Sequence, residues 1–193
     1  MTQISVIYYS GFGHTEVLAR SVVEGVSLVR DVDVACLHVD SLSNDLSELD
    51  NSDAIIFGSP TYMGSVAAPF KHFMDSTSKI WFSQSWKNKV AAGFTNGQSL
   101  SGDKLNTLIQ MIVFATQHSM IWVGQSEMNQ SPKNEAGKLD VLNRLGSNLG
   151  AMAQSEDDSP LLTPPLGDIL TAKKLGERVA GITKLIQHKA INL

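Results

Sequence analysis

The sequence predicts an α/β fold built on a parallel sheet, and three observations carry that expectation. Short apolar runs without helical period recur along the chain, amphipathic helical stretches fall between them, and most runs end in polar loops that contain glycine. Strands read as nearly continuous apolar runs where helices cover both faces of a parallel sheet.

Residues 4–9 (ISVIYY) form the first strand, ended by Ser10-Gly11. Leu18, Val22, Val26 and Val29 then repeat every three to four positions, which marks one face of a helix. Residues 32–39 read as the second strand, followed by a polar stretch over 41–50. Residues 54–58 (AIIFG) are the third, closed by Ser59-Pro60. Phe70, Phe73, Met74 and Thr77 mark a helix that tolerates Pro69 in its first turn. Residues 89–95 are the fourth strand, ending at Asn96-Gly97; Leu105, Leu108, Ile109 and Ile112 give the next helix, and residues 120–123 the fifth strand. Ala172, Leu175, Val179, Ile182 and Ile186 form the last helix, in which Gly176 and Gly181 each cost about 1 kcal/mol relative to alanine. Five such strands predict a flavodoxin-like three-layer sandwich with strand order 2-1-3-4-5 and helices on both faces, in one domain spanning residues 1–193. Residues 125–167 break the rhythm as a long irregular segment rich in Ser, Asn, Gly and Pro. Its Glu156-Asp157-Asp158 run reads as a solvated acidic turn rather than a metal site.

Composition narrows the function classes. A net charge of −4 with scattered basic residues argues against a nucleic-acid binder that works by neutralising phosphates. No apolar run approaches the ~20 residues of a membrane span, so no membrane insertion is expected and the chain reads as cytoplasmic. Cys36 is the single cysteine, which excludes an intrachain disulfide. Its alternation with Val32 and Val34 predicts a small buried hydrophobe.

Ligands of a parallel sheet bind at the carboxyl ends of its strands. After strand one, Ser10-Gly11-Phe12-Gly13-His14-Thr15 runs straight into a helix. Two glycines let successive amides converge and the helix start adds partial positive charge, which suits a phosphate monoester. Glu16 stands where the dinucleotide fingerprint needs its third glycine, and the Gly-Lys-Ser/Thr of a triphosphate loop is absent. After strand three, Pro60-Thr61-Tyr62-Met63-Gly64 offers amides, a hydroxyl and flat apolar surface; after strand four, Thr95-Asn96-Gly97-Gln98 supplies a third polar loop. One loop for phosphate and two for a polar aromatic ring describe a pocket for flavin mononucleotide (FMN).

The stretches YYSGFGHTEVLARSVVEG, DAIIFGSPTYMGSVAAPFKHFMD and TQHSMIWVG resemble the flavodoxin-like NAD(P)H:quinone oxidoreductases of the WrbA (tryptophan-repressor-binding-protein) type. The tail segments LGSNLGAMAQ and TAKKLGERVAG are similar to flavodoxin-family NADPH-dependent FMN reductases. The resemblance implies bound FMN, two-electron reduction of quinones or similar flat acceptors by NADH or NADPH, and a homodimer or homotetramer. By motif it puts the FMN phosphate on Ser10 and the amides of residues 11–15, the isoalloxazine on residues 60–64, and the ribityl chain and ring on residues 95–98. It also makes His118 the ring-facing, catalytic histidine and gives substrate contact to Phe12, Tyr62 and Trp81. Where that family has Pro-Thr-Arg-Phe-Gly, this chain has Tyr62 and Met63 in place of the Arg-Phe pair. Read on the residues alone, His118 is a satisfied core histidine and Trp81 a core or oligomer contact. Two other functions fit the same fold: an electron carrier that docks to redox partners, and a regulatory protein with no catalysis.

Overall fold

β1 (Thr2–Tyr8) lies inside the sheet because its side chains are apolar on both faces, with Ile4, Val6 and Ile7 fully buried. It pairs in parallel with β2 (Val32–His38) on one side and β3 (Ala54–Tyr62) on the other, and β5 (Val90–Gly97) follows β3. The structure is a computed structural model and describes residues 1–42 and 46–188; residues 43–45 of the expected polar stretch lie outside the described residues.

Two short strands share the last place in the sheet. β6 (Ile121–Trp122) pairs with the start of β5, and β7 (Ala151–Gln154) with its end, where Phe94 faces Ala151. The path β2-β1-β3-β5-β6 is the expected winding, with its fifth strand divided. The chain between the halves, residues 123–150, loops out of the sheet. β4 (Ser65–Val66) also folds back antiparallel onto the end of β3, so the sheet has seven strands rather than five.

α1 (His14–Val26) and α5 (Leu166–His188) cover one face, where Leu18, Val22, Leu175 and Val179 meet Val6, Ile56 and Ala92. α2 (Ala68–Ser76), α3 (Ser78–Ser83) and α4 (Lys104–Gln117) cover the other, packing Phe70, Leu108, Met111 and Phe114 against Ile55, Phe57 and Trp86. Among the described residues no helix is long and apolar enough to cross a membrane.

Four expectations change. Pro60 does not close the third strand: β3 continues through it to Tyr62, with Pro60 opposite Asn96. Cys36 is exposed, because β2 is an edge strand covered less fully than its neighbours. The buried face of α4 is Lys104, Thr107, Leu108, Met111, Phe114 and Ala115, whereas Leu105 and Ile109 point outward. Polar anchors set that rotation: the Thr107 hydroxyl meets that of Thr61 at 2.8 Å, and Lys104 Nζ donates to the Ser99 carbonyl. Finally, Gly176 is a contact rather than a simple helix penalty. A Cβ there would run into the Val22 carbonyl of α1, and one at Gly25 into the Lys173 carbonyl.

Candidate active site

The carboxyl ends of β1, β3, β5 and β7 frame one cleft of about 700 Å³. The turn after β1 leads into α1 through Gly13, whose φ of +89° is the left-handed conformation that glycine adopts without strain. The first-turn amides of α1 have no intrahelical acceptor, and Gly13 has no side chain to cap them. The Ser10 hydroxyl accepts the Gly13 amide at 3.0 Å, and His38 Nε2 accepts that of Ser10 at 3.2 Å. This curl presents Ser10, Gly11, Phe12, His14 and Thr15 to the cleft.

Pro60, Thr61, Tyr62 and Met63 form a second wall; Asn96, Gly97 and Gln98 form a third. The Thr61 hydroxyl sits 2.8 Å from those of both Thr95 and Thr107, which ties β3, β5 and α4 together under the cleft. Thr95 is therefore a buried support rather than a lining residue. Gly13 and Gly64, both at positive φ, shape turns without lining the cleft themselves. At the mouth, Phe12 is 76% exposed and Met63 wholly so, and the Phe12 and Tyr62 rings meet edge to face at 6.5 Å. These flat, wet apolar surfaces are what a planar ligand would cover.

The fourth wall was not expected. Ser155, Glu156, Asp157 and Asp158 follow β7 and line the cleft, so the acidic run is not simply a solvated turn. His14 Nε2 donates to the Asp158 carbonyl at 2.8 Å, and Pro160 packs onto Gly13. Ser155 Oγ donates to Asn96 Oδ1 at 2.9 Å. A four-residue strand is the only local signal for this wall, and it is too short to stand out from the segment around it. Among the described residues no Lys or Arg lines the cleft.

His118 and Trp81 lie elsewhere. α4 starts beside the cleft and runs to the opposite edge of the sheet, about 21 Å for fourteen residues, and His118 caps its far end. There it lines a groove of about 520 Å³ with Met74, Thr77, Trp81, Val113 and Phe114, and none of the groove's lining residues lines the cleft. Within one chain, His118 and Trp81 cannot touch a ligand held in the cleft.

The His118 ring is buried between Trp86, at 4.6 Å, and Phe114, at 4.9 Å. The Thr77 hydroxyl spends its proton on the Met74 carbonyl, so it must accept from His118 Nε2 at 2.9 Å. The proton is thus on Nε2, and Nδ1 is a buried acceptor without a partner among the described residues. Burial holds the imidazole pKa down to about 4. The unfolded chain takes this proton near pH 6.5, whereas the folded chain refuses it until about pH 4. Stability is therefore lost as pH falls through that window, by on the order of 3 kcal/mol. Urea denaturation from pH 7 to 4 is expected to show that loss in the wild type and a much smaller one in His118→Phe; equal losses would contradict it.

The NADPH-dependent FMN reductase family matches this sequence over residues 14–133. The chain belongs to that family. The NADPH-dependent FMN reductase match takes in α1, β3, β5 and α4, and with them the second and third walls of the cleft; β1 and residues 10–13 precede it. Over nearly its whole length the chain is also similar to individual proteins. It is 41% identical to Flavodoxin FldP of Pseudomonas aeruginosa, covering 94% of this chain and 97% of that one. It is 33% identical to Quinone-oxidoreductase QR2 of Triphysaria versicolor, covering 97% and 98%. Among solved structures, the flavodoxin, WrbA-like protein from Agrobacterium tumefaciens superposes with a TM-score of 0.72 at 36% identity, covering 96% of this chain and 99% of that one.

Proposed function

We propose that this protein binds FMN in the cleft and transfers two electrons, as hydride, from NADH or NADPH to a quinone or a similarly flat acceptor. The observation that carries this reading is the cleft itself, in which an uncapped helix start faces two hydroxyl- and amide-rich loops and exposed flat side chains. Such a helix start suits the FMN phosphate monoester. When bound, FMN supplies the hydride chemistry, while the protein binds, orients and limits access. Ser10 and the amides of residues 11, 12, 14 and 15 would hold the phosphate, residues 60–63 the isoalloxazine, and residues 96–98 the ribityl chain and ring edge. Tyr62 and Phe12 would shape the open face on which nicotinamide and acceptor take turns, which implies ping-pong kinetics. A cytoplasmic setting follows, since both nicotinamide nucleotides are the reductants of that compartment.

His118 and Trp81 enter this reading only across a subunit boundary. A homodimer or homotetramer in which one copy's groove closes over a second copy's cleft would bring both to the ring. The outward stripe of Trp81, Ile109 and Val113, each 42–51% exposed, supports such a contact. Light scattering is expected to give a multiple of 20.9 kDa for the wild type and the monomer mass for Trp81→Glu. A monomeric wild type would remove His118 from the mechanism.

A second reading is an electron carrier that docks to redox partners, and the 41% identity to a protein named flavodoxin favours it. Steady-state turnover of FMN-loaded protein with both nicotinamides and a quinone panel separates the two. Turnover supports the reductase; bound FMN with no turnover by any pair supports the carrier.

A further inference from the structure

Lys104 opens α4 and is completely buried. Its Nζ donates to the Ser99 carbonyl at 2.6 Å, and its Cγ and Cδ lie 3.6 and 3.7 Å from where a Cβ on Gly97 would stand. The stem therefore passes directly behind the loop that gives Asn96, Gly97 and Gln98 to the cleft. Two other charges act on it, Asp168 of α5 and Arg144 of the looped-out segment. Those two are already matched: Arg144 Nε and Nη2 donate to Asp168 Oδ1 and Oδ2, both at 2.8 Å, and Oδ2 also accepts the Gln154 amide at 2.8 Å. Lys104 forms no ion pair among the described residues, so the buried trio keeps one net positive charge on its ammonium.

The cleft has need of such a charge. Among the described residues its lining contains no Lys or Arg, and three of its residues are carboxylates. Two electrons and one proton entering a neutral isoalloxazine leave it with one net negative charge. We propose that Lys104 supplies the positive potential of the cleft from behind the 97–99 loop, favouring reduced FMN over oxidised FMN. This rests on the FMN reading above. Lys104 contacts the loop and does not line the cleft, so it would act through position and field.

Burial lowers the Lys104 pKa to about 8, with Asp168 raising it and Arg144 lowering it further. The wild type thus tests the inference without mutation. The preference for reduced over oxidised FMN is expected to weaken as pH rises through about 8, and this extra dependence should vanish in Lys104→Met. At neutral pH, Lys104→Met should bind oxidised FMN within about threefold of wild type by fluorescence quenching. Its reduced-over-oxidised affinity ratio should fall about tenfold, a drop of about 30 mV in midpoint potential for a two-electron couple. Equal potentials and equal pH profiles in wild type and Lys104→Met, with normal FMN binding, would overturn the inference alone. If Lys104→Met does not fold, a wild-type pH profile without the added dependence near pH 8 overturns it. A wild type that takes up no FMN overturns both this inference and the reading beneath it.

Discussion

An Arg144→Met variant is expected to be about 3–5 kcal/mol less stable than wild type at neutral pH. Arg144 and Asp168 are each about 1% exposed at the side chain and hold each other through two 2.8 Å bonds. Burial pushes the Asp168 carboxyl up, and the Arg144 bonds pull it back down. Removing the guanidinium leaves a buried carboxylate that, among the described residues, keeps only the Gln154 amide bonded to it and Lys104 nearby. Such a group costs far more than a surface pair, whose loss is worth 1 kcal/mol or less. Replacing both partners, in Arg144→Met/Asp168→Leu, should recover most of the loss because no unpaired charge remains. Urea denaturation of the single and double variants measures this; a single-variant loss under 1 kcal/mol would contradict it. Arg144 also donates to the Gln154 side chain and the Gly137 carbonyl, so it fastens the looped-out segment to β7, next to the acidic wall.

Gly176→Val is expected to cost about 3 kcal/mol. α1 and α5 approach so closely at Gly176 and Gly25 that a side chain there meets backbone atoms, which cannot rotate away. Valine gains helix propensity over glycine by a fraction of a kcal/mol, and the clash outweighs it. Gly181, five residues further along α5, has nothing within 4 Å of a Cβ among the described residues. There Gly181→Ala should stabilise the chain by up to about 1 kcal/mol. Thermal melts of the two variants should therefore move in opposite directions, and a shift of the same sign in both would contradict the packing account.

These two glycines show where sequence reading stops. Both interrupt the same helical period, and composition assigns them the same penalty. Only the crossing of α1 over α5 separates them, and that is a property of two helices far apart in the chain. The winding of the sheet was legible because its strands are apolar on both faces and its helices carry a clear period. The first three cleft walls were legible because glycine, proline and hydroxyl residues stand at the carboxyl ends of β1, β3 and β5. β7 was hidden: Ala-Met-Ala-Gln is four residues long and lies inside a segment without period. With it went the acidic wall. Nothing in the sequence marks Lys104 as buried, because its partner, the Ser99 carbonyl, is set only by the fold. His118 was read two ways, and the chain buries it as a core histidine bonded to Thr77 and packed at a tilt against Trp86.

The central claim, that the cleft holds FMN for hydride transfer, is tested most directly by anaerobic titration of the FMN-loaded protein with NADH and with NADPH. One equivalent of nicotinamide is expected to bleach the flavin band completely, and one equivalent of quinone to restore it. A band that stays unbleached by both nucleotides, or a protein that retains no FMN on gel filtration, would contradict the account.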